Sequence, residues 1–168
     1  RKTSPLLVHA SRDSVGLGSH VWLDLEYLRK EAAALEAGAP PDPVEPPFDL
    51  LEAELLAGWD EDWLHVERER LRQLRVHALE AMAEGLLRQG LHAQAIQAAL
   101  AAIRAEPLRE TAQAALIRAH LSEGNTAEAV RQLEAFRRLL ADELGLRPSA
   151  RVEALLDGSA EPASLSAY

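Results

Sequence analysis

The sequence predicts a mainly α-helical protein, a superhelix of paired helices with a short β-hairpin at its front. Three observations carry that prediction. Hydrophobic residues make up 48% of the 168 but aromatics only 4%, so leucine and alanine must build the core, as in helical repeats and bundles. Apolar residues recur at helical spacing through nearly everything after Asp24. Finally, two segments repeat one another at an interval of thirty-four residues.

The hairpin is predicted from "RDSVGLGSHVWLDL" (12–25), where Val15, Leu17, Val21 and Leu23 read as two short strands around a Gly18-Ser19 turn. A lone two-stranded hairpin is barely stable in water, so it should belong to something larger. Asp24 is a plausible N-cap for "LEYLRKEAAALEAG", in which Leu25, Leu28, Ala32 and Leu35 fall on one face and Gly38 ends the run. "APPDPVEPP" (39–47) holds five prolines in nine residues and can be neither helix nor central strand, which makes it a stiff, exposed connector. Next, "FDLLEAELLAG" predicts a short amphipathic helix capped at Asp49, with Leu51, Leu55 and Leu56 on its apolar face and Gly58 as its stop. From Glu61 to Gln89 no proline intervenes, and Trp63, Val66, Leu71, Leu74, Ala78, Met82 and Leu86 follow the period of one long helix. Its "ERERLRQLR" stretch interleaves Glu67 and Glu69 with arginines, which predicts a solvated face with internal ion pairs rather than a DNA-binding run. Trp59 and Trp63 are read as buried anchors where the short helix meets the long one, in preference to an exposed interaction patch.

Sliding the chain by thirty-four residues places Gly90 on Gly124, Ala93 on Ala127, Ala95 on Ala129, Ile96 on Val130 and Leu87 on Leu121. That is the tetratricopeptide period, and its physical reading is direct. Gly90 and Gly124 end the first helix of each pair at a tight turn. Ala95 and Ala129 are small where paired helices approach most closely, and Pro107 closes the first unit. The second unit departs from the pattern, with Phe136 at a small-residue position and Ala141 in place of the proline. Its last helix should therefore run on and pack against a different partner, as a terminal repeat does. The inner surface of such a superhelix is lined by the first helix of each pair. This sets His77, Glu80, Glu84 and Arg88 beside Thr111, Arg118 and Ser122 in a mixed-charge groove, which either holds a partner segment or is merely solvated. With only two repeats the solvated reading is preferred.

The run "EPLRETAQAALIRAHLSEGNTAEAVRQLEAFRRLLADELGLRPSARVEALL", with "LLAGWDEDWLHVERERLRQL" (55–74) upstream, closely resembles the bacterial transcriptional activator domain of the SARP family of antibiotic-pathway activators and their relatives. That resemblance implies a tetratricopeptide-like fold following a winged helix-turn-helix DNA-binding domain of the response-regulator type. "LLVHASRDSVGLGSHVWLDL" then looks like the terminal β-hairpin wing of such a domain. The implied organisation is a wing remnant over 1–25, a helix and Pro-rich linker over 26–47, the activator domain over 48–157 and a flexible tail over 158–168. Arg12 sits where a wing arginine reaches a phosphate or the minor groove. Asp13 stands where such wings usually have glycine, so a solvent-exposed turn residue is an equal reading. The resemblance also implies promoter DNA as a partner through the upstream domain, contact with RNA polymerase or another regulatory protein, and self-association. The alternative is a stand-alone tetratricopeptide adaptor that binds a partner peptide or helix, unrelated to transcription.

Other functions find little support. There is no cysteine, which removes disulfides, thiolate metal sites and a cysteine nucleophile and points to the cytoplasm. His65 and His77 share the long helix but stand far apart on it, His92 and His120 fall on other helices, and none has H-x-x-x-H spacing, although His9 and His20 could face each other across the hairpin, so no metal site is expected. Nothing pairs a nucleophile with a base and no Gly-rich phosphate loop occurs, so neither an enzyme nor a cofactor is expected. No apolar run reaches the length of a membrane span. The net charge is −9, and because Arg1, Lys2, Arg12 and Asp13 give residues 1–23 a balance of +2, the remainder carries −11. Such a body repels phosphates.

Overall fold

The protein is described by a computed structural model that covers residues 8–10, 12–17, 24–41 and 55–157. It is mainly helical. A two-stranded antiparallel sheet, β1 (Val8–Ala10) and β2 (Val15–Leu17), precedes α1 (Asp24–Glu36), α2 (Asp62–Arg88), α3 (His92–Ala105), α4 (Glu110–Ser122), α5 (Thr126–Leu144) and the short α6 (Ala150–Glu153). The register pairs Val8 with Leu17, His9 with Gly16 and Ala10 with Val15. The chain therefore reverses between Ala10 and Val15, and the turn expected at Gly18-Ser19 lies outside the described residues. Serine and aspartate favour turns, and the polar stretch that holds Arg12 and Asp13 supplies the reversal. Arg12 and Asp13 are exposed at its tip. His9 pairs with Gly16 in this register, and the expected His9–His20 juxtaposition involves a residue outside those described. His20, Val21, Leu23, the helix expected from Asp49, most of the Pro-rich run and the tail after Asp157 lie outside the described residues.

The long helix spans nearly the stretch that its periodicity predicts, with Glu61 as N-cap and Gln89 as C-cap. Its C-terminus and that of α4 close in the same way. Gly90 (φ +75°) and Gly124 (φ +83°) take the left-handed conformation that glycine adopts without penalty. The following amides, Leu91 N–H and Asn125 N–H, reach back to the carbonyls of Leu86 (3.0 Å) and His120 (2.8 Å). This is the glycine-terminated C-cap that satisfies orphan carbonyls. Repeated thirty-four residues apart, it ends α2 and α4 and leads the chain into α3 and α5.

The core is continuous but two-sided. Leu28, Ala32 and Leu35 of α1 join Leu71, Leu79, Met82 and Leu86 of α2, the alanines of α3, and Ala112, Ala115, Leu116 and Ala119 of α4. Ala114 and Ile117 of α4 face the other way, into a cluster with Ala129, Leu133, Phe136 and Leu140 of α5 and Val152 and Leu155 at the C-terminus. Ala95 and Ala129 are completely buried, as their place in the repeat requires. Phe136 fills the space beside Val152 and Leu155, which explains why the second unit carries a large residue there and why α5 continues past Ala141 to Leu144.

One boundary differs from the sequence reading. α1 is not spaced from the helical module: it packs along α2 and buries Leu28, Ala32 and Leu35 in the shared core. Nor is the start of the Pro-rich run an exposed connector. Pro41 is buried, and Gln89 Nε2 donates to its carbonyl at 3.3 Å. A Cβ on Gly85, in the last turn of α2, would lie 2.6 Å from Pro41 Cδ. Glycine costs about 1 kcal/mol relative to alanine inside a helix, and the close approach of the proline ring is what requires it. Proline's lack of an N–H donor favours an exposed connector reading in sequence, but its ring is apolar and can pack against a helix.

Two stability predictions follow from these contacts. Ala95→Trp and Ala129→Trp each force a large ring between helices in contact and should lower the urea midpoint, at a cost of roughly 1–3 kcal/mol or more; unchanged midpoints in both would mean the repeat register is wrong. Gly85→Ala should fail to deliver the helix-propensity gain of about 1 kcal/mol in the native chain but deliver it once Pro41 is also replaced by alanine, a coupling that equilibrium unfolding of the double-mutant cycle reads directly.

Candidate functional site

α2 and α4, the first helices of the two pairs, lie side by side, and the residues predicted to share a groove are brought together there. Arg109 grips Glu80 with two bonds, Nε to Oε1 at 2.7 Å and Nη2 to Oε2 at 3.1 Å. The Thr111 hydroxyl donates to the same carboxylate. One turn further on, Arg118 pairs with Glu84. His77 faces Glu36 of α1 at 4.0 Å instead of the α4 side. Arg88 and Ser122 are exposed at the far ends of their helices. The groove is therefore a ladder of internally matched charges. Its best-buried rung is Glu80–Arg109, whose side chains are 16% and 23% exposed, with two-pronged geometry that Lys could not reproduce.

Arg109 was not foreseen, and the signal for it was the "PLRE" tetrapeptide itself. Each residue there has a separate task. The Pro107 carbonyl accepts a bond from Gln113 Nε2 at 2.8 Å, Leu108 packs against the α4–α5 cluster, Arg109 reaches α2, and Glu110 accepts the Ser149 amide at 2.9 Å. Gln113 is the one fully buried polar side chain among the described residues. Its Oε1 accepts from Gln132 of α5 at 2.6 Å, so both ends of the amide are satisfied, as burial demands. A lone Gln within "TAQAALI" was the available sequence clue.

The arginine-rich stretch of α2 divides. Arg70–Glu67 and Arg72–Glu69 are ion pairs at 2.6 Å three residues apart, the solvated face expected of it, with Arg72 also reaching Glu106 beyond α3. The Glu69 carboxyl is held below the usual carboxylate range by hydrogen bonds from Arg72 and Gln73. Arg68 behaves differently, donating to the carbonyls of Leu55, Leu56 and Trp59.

Trp59 and Trp63 are corrected by the structure. They are 57% and 54% exposed, not buried anchors. The reason is geometric: Leu64 and Leu71 point into the protein, and the helical period sets Trp63 about 100° away from Leu64. Gly90, Ala95, Gly124 and Ala129 occupy their expected structural positions, and Pro107 stands in the turn after α3. Among the described residues no group of three or more His, Asp and Glu side chains could hold a metal ion. No helix among them is long and apolar enough to cross a membrane.

At the C-terminal end, Arg137 of α5 donates from Nε to Glu153 of α6 at 2.9 Å. That hydrogen bond, against a smaller opposing effect of burial, holds the Glu153 carboxyl below the usual carboxylate range, with Arg147 contributing. A depressed folded-state value means that the tie stabilises the fold above the ordinary carboxylate range and is lost as pH falls through the depressed value. The Glu153 side-chain carboxyl should therefore titrate below an ordinary glutamate in an NMR titration, and Arg137→Gln should return it toward the ordinary range. In the groove, a double-mutant cycle on Glu80→Gln and Arg109→Gln should give a coupling of about 1 kcal/mol or more, larger than the cycle on the exposed Glu128–Arg131 pair.

Comparison with known proteins places these features in a family. Residues 24–157 match the sequence profile described as the bacterial transcriptional activator domain. Among individual relatives, a protein named Regulatory protein AfsR from Streptomyces coelicolor (strain ATCC BAA-471 / A3(2) / M145) is 40% identical over 101 residues, 60% of this chain and 10% of that protein. A Regulatory protein AfsR from Streptomyces griseus is 35% identical over 99 residues, 59% of this chain and 10% of that protein. The chain thus spans about a tenth of the length of the curated relatives it matches. The match begins at Asp24, so it includes α1, which the structure packs into the common core.

Proposed function

The chain belongs to the bacterial transcriptional activator domain family, and on that premise we propose that it is the regulatory, protein-contacting module of a SARP-type transcriptional activator. It works beside a winged helix-turn-helix domain, and the hairpin β1–β2 is the wing of that domain. The family match over α1 to α6 carries the reading, supported by relatives named as regulatory proteins. In this reading promoter DNA is bound through the winged helix-turn-helix domain. The helical module then contacts RNA polymerase or another regulatory protein, or a second copy of the same regulator.

The chemistry of the module fits protein contact better than DNA contact. Residues beyond 23 carry a net charge of −11, and such a body repels a phosphate backbone. Its arginines on the concave face are already matched, Arg109 to Glu80 and Arg118 to Glu84. Arg12, exposed at the hairpin tip beside Asp13, supplies at most one phosphate contact and no base reading. The concave face bearing His77, Glu80, Glu84, Arg88 and Arg118 is a secondary contact surface, because a partner's charges must compete there with pairs the fold already makes.

Selection from a pool of random-sequence duplexes at physiological salt tests the assignment. The 168-residue chain alone should enrich no sequence. The same chain joined at its front to a response-regulator-type winged helix-turn-helix domain should enrich one. Sequence-selective, salt-resistant binding by the chain alone would show that the helical module itself reads DNA. Failure of both would favour the stand-alone adaptor.

A further inference from the structure

The least explained surface lies at the N-terminal end of α2. Trp59, Trp63, Val66 and Leu56 are each 41–57% exposed, in a chain with only three tryptophans. Single exposed apolar residues are ordinary, whereas a contiguous group on one face is the mark of a contact surface. The backbone is fixed to present it. Arg68 holds the carbonyls of Leu55 at 3.1 Å, Leu56 at 2.9 Å and Trp59 at 3.0 Å. Leu56 has φ +49°, a left-handed conformation that a leucine adopts only against a steric penalty.

Beside this group a cleft of about 490 Å³ opens between α1 and α2. Leu71 lies at its floor, Leu25 and Arg29 form the α1 wall, and Trp63 and Leu74 mark the ends of the α2 wall. Trp63, Glu67, Arg70 and Leu74 fall at successive turns of one helix, so the wall runs about three turns, roughly 16 Å. An apolar groove of that length between two helices suits a third helix. Within the cleft Arg29 and Arg70 outnumber Glu67, and negative charge gathers instead just beyond its Trp63 end. Asp60, Glu61 and Asp62 stand exposed between the two tryptophans. Among the described residues their one ionic neighbour is His65, 3.6 Å from Asp60. Acids in a first turn suit α2's own dipole, but that accounts for neither the exposed indoles nor the cleft. Further along, Glu67 and Arg70 neutralise each other at 2.6 Å.

We propose that this face docks a basic amphipathic helix of a protein partner. Apolar side chains of the partner, spaced at i, i+3 or i+4 and i+7, enter the cleft. Its Lys or Arg residues gather at the Trp59 end, where they meet Asp60, Glu61 and Asp62 and lie against the indole faces. Arg29 on the opposite wall disfavours basic residues at the other end. The inference goes beyond the transcriptional reading and does not depend on it.

The test uses the whole chain and a dye-labelled model peptide of leucine and lysine, about 18 residues or five helical turns long, with its leucines on one face. Two comparators are a glutamate-for-lysine version and a scrambled leucine–lysine peptide of identical charge. Fluorescence anisotropy at physiological salt should show the ordered basic peptide binding about tenfold or more tightly than either comparator. The Trp59→Ala/Trp63→Ala double variant should lose about tenfold or more. The Asp60→Asn/Glu61→Gln/Asp62→Asn variant should lose affinity and much of its salt dependence. Circular dichroism melting should be unchanged in both; if the double variant melts early, Trp59→Ala alone serves in its place. Equal binding of the scrambled or acidic peptide would overturn the proposal, as would full binding by the variants. A dimer seen in light scattering and dissolved by the tryptophan variant would overturn it too, by assigning the face to a second copy.

Discussion

The structure depends on how closely its helices approach α4. This helix is apolar on nearly its whole circumference, with Ala112 through Ile117 and Ala119 all buried, the condition of a helix surrounded by others. Alanine on α4 and on its neighbours, at Ala95, Ala98, Ala99, Ala102 and Ala129, is buried and presents little bulk to keep neighbouring axes apart. A close seam also fixes register, because one added methylene there has nowhere to go. Larger side chains fill the space on either side, Leu79, Met82 and Leu86 of α2 in one cluster and Leu133, Phe136 and Leu140 of α5 in the other. One helix thus divides the core and binds its halves together.

The polar contacts around α4 follow from that placement. A central helix needs its ends anchored, and the turn before it, "PLRE", does so in three directions: to α2 through Arg109, within its own turn through Pro107 and Gln113, and to the C-terminal segment through Glu110 and Ser149. The Gln132–Gln113 bond then carries the same anchorage to α5. Net gains from such bonds are individually modest. Their larger effect is directional, because Gln113 is buried and any register that left its amide unpaired would be penalised.

Much of this was legible in the sequence. Gly90/Gly124 and Ala95/Ala129 revealed the repeat because backbone handedness and helix contact impose residue types that few alternatives satisfy. The length of α2 was legible for the same kind of reason, since an uninterrupted helical period has few other outcomes. What the sequence left open was where elements without strong periodic signals settle. The pairing of Val8–Ala10 with Val15–Leu17 was missed because the polar residues around Arg12 and Asp13 carry no glycine to mark their turn. The docking of α1 and Pro41 rests on Gly85, whose role shows only once Pro41 is seen against it. Trp63 was misread because it was counted, with Val66, on the same apolar face as Leu71 and Leu86, whereas Leu64 holds the inward position at that end of the helix.

The same argument explains why the two faces of the module differ in what they offer. On the concave side, α2 and α4 are close enough for every central charge to find a partner on the next helix, so the fold consumes its own recognition chemistry there. At the N-terminal end of α2 the described residues offer no such partner helix: the repeat begins at α2, and α1 joins it in the core that includes Leu71. The first helix of a solenoid therefore keeps one face without a repeat to stack upon, and capping elements normally make that face polar. Here it carries two tryptophans, a leucine in a costly backbone conformation and three acids. In a stacked architecture the surface left uncovered by geometry is also the one free to specify a partner.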